Sequence, residues 1–279
     1  MKALITVIML VATSSMASAD VTIRFIANEG VHITNGETGV LIDALTWNSY
    51  DGQFALPSDE ARAAMIAGDA PYDDVAALLF THIHGDHFDP EGAVAFVETE
   101  EVDFPHWFRI VLGSTQVFDA FEAAGGNAER FMKPEPAEGE CGFTGPPECR
   151  SEFGFHLEQT HREPPIMIHV RGRPMFHREG IDHWMYRVEL DGISILHLGD
   201  TQPQLADFSV WDDTEFDVIL YPYWFAQMEE GVAFLDSRPD ARAIAFHIPA
   251  TATPLTIRAG LGEREYLFGE GSEVVIETE

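Results

Sequence analysis

The feature that most restricts the fold of this chain is a short apolar run, residues 75–80 (VAALLF), that ends directly in the polar segment THIHGDHFDP. A continuous apolar run of this length is typical of a strand buried on both faces of a helix-covered sheet. In such α/β folds the functional site lies beyond the carboxyl ends of the strands. The run therefore predicts a buried strand that delivers the polar residues after it to one edge of a sheet.

The polar segment concentrates histidines and acids, namely His82, His84, Asp86, His87 and Asp89. Their mutual repulsion and desolvation are accounted for if a divalent cation offsets the charge and accepts the lone pairs. Two histidines two residues apart point the same way from an extended backbone. Gly85 lets the chain turn and present Asp86 and His87 to a second position. We therefore predict a metal centre here.

The rest of the chain alternates strand and helix signals, which indicates an α/β protein. Predicted strands include residues 21–27, 31–34, 39–44, 216–222, 241–247 and a hairpin over 184–200 with an Asp-Gly turn. Helices are predicted after Ser58, Ser114 and Asp89-Pro90, and Asp89 is expected to cap its helix rather than bind metal. With no linker between the halves, we predict one domain over 20–279, with two sheets, helices outside and a loop insert around 134–150.

The amino-terminal residues 1–19 predict a signal peptide. Lys2 is followed by an apolar stretch over 3–12 and by Ala17-Ser18-Ala19, a cleavage pattern that would leave a chain starting at Asp20. The alternative, a membrane anchor, is less favoured because the stretch is too short to span a bilayer. We therefore expect a periplasmic or secreted protein, with no membrane insertion after signal removal.

Two further compositional features bear on partners and on redox state. Acids outnumber bases 47 to 16, and the formal charge of −31 argues against binding to nucleic acid or to anionic membranes. A small-molecule substrate and a salty environment fit this charge better. The two cysteines, Cys141 and Cys149, favour a disulfide in an exported chain, with free thiols as the alternative.

THIHGDH matches the H-x-H-x-D-H signature of the metallo-β-lactamase superfamily, and two later segments, LHLGDT at 196–201 and AFHIPA at 245–250, are similar to its other ligand-bearing strand ends. The resemblance implies an α/β fold of the αββα type, a four-layer sandwich with two mixed β-sheets flanked by helices. It also implies two divalent metal ions, with zinc favoured and manganese or iron as alternatives.

The resemblance further implies a ligand set. His82, His84 and His161 would hold one metal, Asp86, His87 and His247 the other, and Asp200 would bridge them. His161 is chosen because it follows the predicted strand FGFHLEQ and opens a polar loop, and because its long interval to Asp200 resembles the ascorbate-6-phosphate lactonase-like branch. His177 and His183 stand nearer to Asp200 and remain alternatives. His197, just before the Gly-Asp pair, is expected to pack or to support the ligands.

The activity implied by the resemblance is hydrolysis of an ester-, lactone- or amide-like bond by a metal-bridging hydroxide, with Asp86 also orienting the water or accepting its proton. Aromatic residues over 221–225 (YPYWF) are candidates for a pocket mouth, or alternatively for core packing. Two other functions stay open. One is a catalytically silent binding protein of the same fold, and the other is an iron-dependent oxidoreductase of the family.

Overall fold

The computed structural model describes residues 19–99, 109–133, 153–159 and 166–278, with 153–159 and 166–167 described by their backbone alone. Several predictions lie outside these residues: the signal peptide apart from Ala19, the loop insert over 134–150 with Cys141 and Cys149, and the ligand role of His161. Among the described residues, no helix combines the length and the apolarity needed to cross a bilayer.

The first sheet has seven strands in the order β14-β1-β2-β3-β4-β5-β6. These strands are Val21–Phe25 (β1), Val31–Thr34 (β2), Gly39–Ile42 (β3), Val75–Leu79 (β4), Ile110–Leu112 (β5), Phe131–Met132 (β6) and Glu273–Ile276 (β14). Strands β14, β1, β2 and β3 pair antiparallel, whereas β3 to β6 run parallel. The apolar run at 75–80 forms β4, whose five residues are all buried, as predicted.

The second sheet also has seven strands, in the order β13-β12-β11-β10-β9-β8-β7. They are Phe153–Gln159 (β7), Ile166–Pro174 (β8), Trp184–Leu190 (β9), Ile193–His197 (β10), Val218–Pro222 (β11), Arg242–Phe246 (β12) and Glu265–Tyr266 (β13). Strands β7 to β10 are antiparallel and β10 to β13 parallel. The predicted hairpin is β9 and β10, and its turn has positive φ at Asp191 (50°) and Gly192 (83°), which matches the right-handed twist of the strands.

The described part of the chain has five α-helices, which cover the outer faces of the sheets. They are Asp59–Ala67 (α1), Pro90–Glu98 (α2), Thr115–Ala123 (α3), Glu229–Asp236 (α4) and Pro254–Leu261 (α5). Short 3-10 helices occur at Ala128–Arg130, Pro203–Leu205, Phe208–Trp211 and Phe225–Gln227.

Alternating side chains sort into three apolar clusters that define the layers. Leu79 and Leu220 point into the core between the two sheets. Leu78, one residue earlier, packs outward with Phe96 of α2, and Ile219 packs outward in the cluster that includes α4 and α5. This period of two buries both faces of the parallel strands. The predicted αββα sandwich of two mixed sheets is confirmed.

The prediction for Asp89 is half right. Helix α2 begins at Pro90 with Asp89 at the N-cap position, but the Asp89 side chain makes no capping hydrogen bond. Its carboxylate instead forms an ion pair with Arg62 of α1. The guanidinium competes better than a backbone N–H for the carboxylate because its hydrogen bond is charge-assisted at both ends. Ser58 and Ser114 do cap their helices, accepting from Ala61 N at 3.1 Å and Val117 N at 3.2 Å.

Candidate metal centre

The ends of several strands from both sheets meet at one edge of the sandwich. The loop after β4 carries His82, His84, Asp86 and His87, the turn after β10 carries Asp200, and His247 directly follows β12. A loop between β8 and β9 adds His177. These side chains form two groups in which one possible ligand atom from every member lies within 4.8 Å of the others: His82, His84, His177 and Asp200 in the first, and Asp86, His87 and His247 in the second.

The first group is mostly imidazole. His82 Nε2 lies 2.7 Å from His84 Nδ1 and 3.8 Å from Asp200 Oδ2. His177 Nε2 lies 3.6 Å from the same Asp200 oxygen. Two ligand atoms that each bind one cation at about 2.0–2.2 Å stand roughly 3–4 Å apart. The approach of these atoms to Asp200 therefore fits a shared cation, which we call the first position.

The second group is richer in carboxylate. Asp86 Oδ2 lies 3.5 Å from His87 Nε2 and 3.7 Å from His247 Nε2. Asp200 reaches this group too, with Oδ2 at 3.6 Å from His87 Nε2 and Oδ1 at 3.1 Å from His247 Nε2. Asp200 thus lies between the two groups, as expected of a bridging ligand. We call this the second position.

Unpartnered atoms support the fit to cations. His87 Nε2 and His177 Nε2 are buried and have no hydrogen-bond partner among the described residues. A buried polar atom without a partner costs free energy, and a cation that accepts its lone pair removes that cost. The donor set of imidazoles and carboxylates suits zinc, manganese or iron.

The protonation states of the histidines suit cation binding. Burial lowers the pKa of His82 well below its usual value and that of His84 to about 4, so both imidazoles are neutral at pH 7, the form that binds metal. Burial also opposes a charge on His87, but Asp200 and Asp86 outweigh it and raise the pKa of His87 well above its usual value. A cation in the second position would take the place of that proton.

Asp43, which the sequence analysis did not identify, supports the β4 loop from behind. Its carboxylate accepts hydrogen bonds from Thr81 N at 2.8 Å, from Thr81 Oγ1 at 2.5 Å and from His87 Nδ1 at 2.9 Å. Because Nδ1 of His87 donates to this carboxylate, its Nε2 is left for a cation. The signal was available, because Asp43 follows the apolar strand β3 much as the histidines follow β4.

The β1–β2 turn also contributes residues that the sequence analysis missed. Asn28 adopts a φ of 53°, and its Nδ2 donates to Asp86 O at 3.1 Å and to Asp86 Oδ2 at 3.2 Å. Its carbonyl accepts from His247 N at 2.9 Å. The next residue, Glu29, is fully buried, and its Oε2 lies 3.5 Å from His87 Nδ1. The only signal in the sequence was a polar Asn-Glu pair in a tight turn between two apolar strands.

The structure brings six of the seven predicted ligands together: His82, His84, Asp86, His87, Asp200 and His247. His161 lies outside the described residues, and the third histidine near the first position is His177, one of the two alternatives. His183 lies behind it, with Nδ1 3.2 Å from Met175 O and its ring centroid 5.4 Å from that of His82. His197 is buried beneath the centre, where Nε2 lies 3.1 Å from Glu29 O.

Aromatic rings flank the second position. The ring of His247 packs edge-on against Phe54 at 4.5 Å and against Trp224 at 4.9 Å between centroids. Trp47, in the loop that hydrogen bonds to Gly85, is 60% exposed. The predicted aromatic segment is divided between two roles, because Tyr221 and Phe225 are fully buried in the outer core of the second sheet, whereas Trp224 reaches the centre.

This fold, with histidines and acids gathered where strands of both sheets end, is the metallo-β-lactamase fold. Among solved structures, the chain is similar to Igni18, a metallo hydrolase from the archaeon Ignicoccus hospitalis, with a TM-score of 0.58, 13% identity and coverage of 94% of this chain and 100% of that one. The chain is also similar to a possible metal-dependent hydrolase from Veillonella parvula, with a TM-score of 0.56, 16% identity and coverage of 93% of this chain and 100% of that one. For the metallo-β-lactamase fold protein YhfI from Bacillus subtilis, the TM-score is 0.57 and the identity 10%, with coverage of 92% of this chain and 99% of that one.

At these identities the likeness establishes the fold alone. No protein-family model matches the chain. No curated protein sequence matches it either. The chemistry of the residues at the centre therefore has to indicate the function.

Proposed function

We propose that this protein is a dinuclear metal-dependent hydrolase that cleaves an ester-, lactone- or amide-like bond. The observation that carries the proposal is the position of Asp200, whose two carboxylate oxygens reach an imidazole-rich group on one side and the Asp86–His87–His247 group on the other. A protein that binds no metal has no physical reason to keep so many buried donors converged, because their desolvation is costly.

Two divalent cations, when bound, supply Lewis acidity that polarises the scissile carbonyl and lowers the pKa of a water molecule far below its value in bulk water, toward about 7. Seven residues would hold these cations: His82, His84, Asp86, His87, His177, Asp200 and His247. Asp86 is held by two hydrogen bonds from Asn28. Burial acts to raise the pKa of Asp86, but the charge of His87 outweighs it and keeps the pKa below its usual value.

Asp86 is therefore an anion at neutral pH, and its carboxylate can accept a proton. When water attacks the carbonyl carbon, one of its protons passes to this carboxylate. When the bond to the leaving group breaks, the leaving oxygen or nitrogen takes that proton, and Asp86 returns to its anionic form. Asn28 keeps Oδ2 in one orientation throughout these steps.

The surroundings of the centre favour a substrate with an apolar part. Phe54 and Trp224 flank His247. The segment after His247 also lines a pocket of about 310 Å³ with Ile248, Ile257 and Leu261 in its walls, although none of the candidate ligands lines it. Pockets of this size and apolarity suit small organic ligands. We propose a lactone or another ester that carries an alkyl or aryl group as the first substrate class to test.

The proposal is tested by measuring metal content and hydrolysis of lactone, ester, β-lactam and phosphodiester panels, with and without a chelator. We expect two cations per chain, activity that the chelator abolishes, and kcat/KM that rises with alkyl length among the lactones. Asp200→Asn should lose metal and activity together, while the exposed Asp213→Asn keeps both. Full activity in Asp200→Asn, or activity that survives chelation, would refute the proposal.

Two results would redirect the assignment. Two bound cations without hydrolysis of any panel member would favour the binding protein, and native iron with visible absorption would favour the oxidoreductase. Export is proposed separately from the amino-terminal pattern. Amino-terminal sequencing of the exported fraction should start at Asp20, and a full-length chain confined to the cytoplasm would contradict it.

A further inference from the structure

We propose that Glu29 is an additional protein ligand of the metal centre, on the side formed by Asp200 and His247, and that it gives the second position a preference for manganese-type cations over zinc relative to the first position. This inference rests on the proposed dinuclear function. It concerns a residue that neither the H-x-H-x-D-H segment nor the later ligand-bearing strand ends contain.

The position of Glu29 is set by the β1–β2 turn. Gly30 N donates to Ala27 O at 2.6 Å and closes the turn, and Ile26 N donates to Gly30 O at 2.7 Å. The turn inserts between the ends of the two sheets, so that the Glu29 side chain is fully buried. One of its carboxylate oxygens lies within 4.8 Å of a ligand atom of Asp200 and of His247. The carboxylate therefore faces the centre and not the solvent.

Apart from the ring of His87, the described residues offer no cationic or hydrogen-bonding partner to the carboxylate of Glu29. Neither of its carboxylate oxygens has a hydrogen-bond partner among the described residues. His87 Nδ1 is 3.5 Å away, and it already donates to Asp43 Oδ2 at 2.9 Å. No lysine or arginine in the described part of the chain pairs with Glu29, whose neighbours also include Asp86 and Asp200. In such surroundings a buried carboxyl group either takes up a proton or binds a cation, and the ligand atoms of Asp200 and His247 beside it can hold a cation.

The charge of the centre leads to the same conclusion. The buried carboxylates around the second position are Glu29, Asp43, Asp86 and Asp200. With all four ionised, two divalent cations balance their charge, whereas a single divalent cation leaves a buried excess of negative charge. The negative charge of Glu29 is thus balanced when both cations are bound and is not balanced when the centre is empty.

An added carboxylate changes which metal is preferred. The first position offers His82, His84, His177 and one oxygen of Asp200, a set suited to zinc. With Glu29, the second position offers three carboxylates, those of Asp86, Asp200 and Glu29, beside two imidazoles. Carboxylate oxygen suits manganese better than a nitrogen-rich set does. The ratio of manganese to zinc affinity should therefore be higher at the second position.

The test titrates the full chain, stripped of metal, with Mn²⁺ and separately with Zn²⁺ in a calorimeter, and records the electron paramagnetic resonance of bound Mn²⁺. The variants are Glu29→Gln and Glu29→Met, two uncharged side chains of similar volume. The control is Asp74→Asn, which alters a buried carboxylate that pairs with His32 at 3.0 Å, just before the amino end of β4 and away from the centre.

We expect the wild type to bind two Mn²⁺ with the signal of a coupled pair. Each Glu29 variant should bind the second Mn²⁺ at least 100-fold more weakly and the second Zn²⁺ with a smaller loss, while the first cation and the control are unchanged. Without metal, the Glu29 variants should unfold at a temperature no lower than that of the wild type, because the Glu29 side chain makes no hydrogen bond to a described residue that the change could remove. This readout also shows directly whether the variants fold.

Three results would overturn the inference. Wild-type affinity for both Mn²⁺ ions in a Glu29 variant would remove Glu29 from the ligand set and leave the proposed hydrolase intact. Equal losses for Mn²⁺ and Zn²⁺, or metal-free variants that are less stable than the wild type, would make Glu29 a positioning residue for His87. A wild type that binds no second cation would instead refute the dinuclear function itself, and this inference with it.

Discussion

Asn28 shows how one side chain in a turn can organise residues that are distant in the sequence. It holds Asp86, 58 positions away, through both the backbone and the carboxylate. Loss of a partner that orients a metal ligand typically costs about 10- to 100-fold in metal affinity. The orientation of Asp86 therefore depends on a residue from a different part of the same sheet.

Asn28→Gly tests this dependence. Glycine tolerates the φ of 53°, so the change removes the side chain without adding backbone strain. We expect the affinity for the second cation to fall about 10- to 100-fold, because Asp86 loses both hydrogen bonds. Calorimetric titration measures the change, and Asn35→Gly, in the β2–β3 turn, is the matched control. Equal affinities for the two variants would argue against the role of Asn28.

Two features of the structure require glycine at position 199, next to Asp200: a left-handed backbone, and a lack of space for a side chain. Its φ is 54°, and a Cβ there would lie 2.4 Å from His183 Nε2. Gly36 has a φ of 81° but nothing within 4 Å of its Cβ position. Gly36→Ala should cost about 1–2 kcal/mol from the left-handed backbone alone.

Gly199→Ala should cost more than Gly36→Ala, about 3–5 kcal/mol, because it adds the clash, and it should also weaken metal binding by displacing Asp200. Urea unfolding gives the difference between the variants. Equal losses of stability would mean that the turn relaxes around the new methyl group.

At the scale of elements, β4 both completes the core and delivers the ligands. Its side chains alternate between the core that joins the sheets and the cluster beneath the helices. The strand ends at Leu79, and the loop that carries His82, His84, Asp86 and His87 follows it directly. Because β4 is anchored on both faces, the loop after it starts from a rigid point, which is what a metal site requires.

Leu79→Ala measures how strongly β4 is anchored. Leu79 is completely buried between the sheets, and truncation of such a side chain costs about 2–5 kcal/mol through lost burial and a residual cavity. Val275→Ala on β14, where the side chain is 48% exposed, is the control and should change stability by less than about 0.5 kcal/mol. Chemical denaturation provides both values, and a small effect at Leu79 would contradict the packing described for β4.

At the scale of the whole molecule, the net charge of −31 sets the response to salt. Like charges repel one another across a compact surface and destabilise the folded state. Screening shortens their range from about 30 Å at 0.01 M to about 3 Å at 1 M ionic strength. The chain should therefore tolerate, and depend on, a salty medium.

We expect the free energy of unfolding to rise as sodium chloride increases from low millimolar concentrations to 1 M, since screening relieves repulsion in the folded state more than in the expanded one. Urea denaturation with a chelator present measures this without a contribution from metal binding. Potassium chloride at the same ionic strength should have the same effect. A flat or falling stability would show that the surface charges are already balanced locally.

Local patterns in the sequence determined the strand β4, the cluster His82–His84–Asp86–His87 after it, the β9–β10 hairpin and the start of α2 at Pro90. Each depends on residues within a few positions of one another, where period, turn chemistry and ligand spacing act directly. The resemblance then extended the site to Asp200 and His247, which lie at strand ends of a recognisable kind.

Only the tertiary structure showed that His177 lies at the first position and which residues surround the second. His177, Asp43 and the neighbouring pair Asn28 and Glu29 come from three separate loops, and no spacing rule relates them to β4. Asn28 and His247 meet although they are 219 positions apart. Such contacts arise from the packing of the two sheets face to face, a long-range arrangement that local periodicity does not encode.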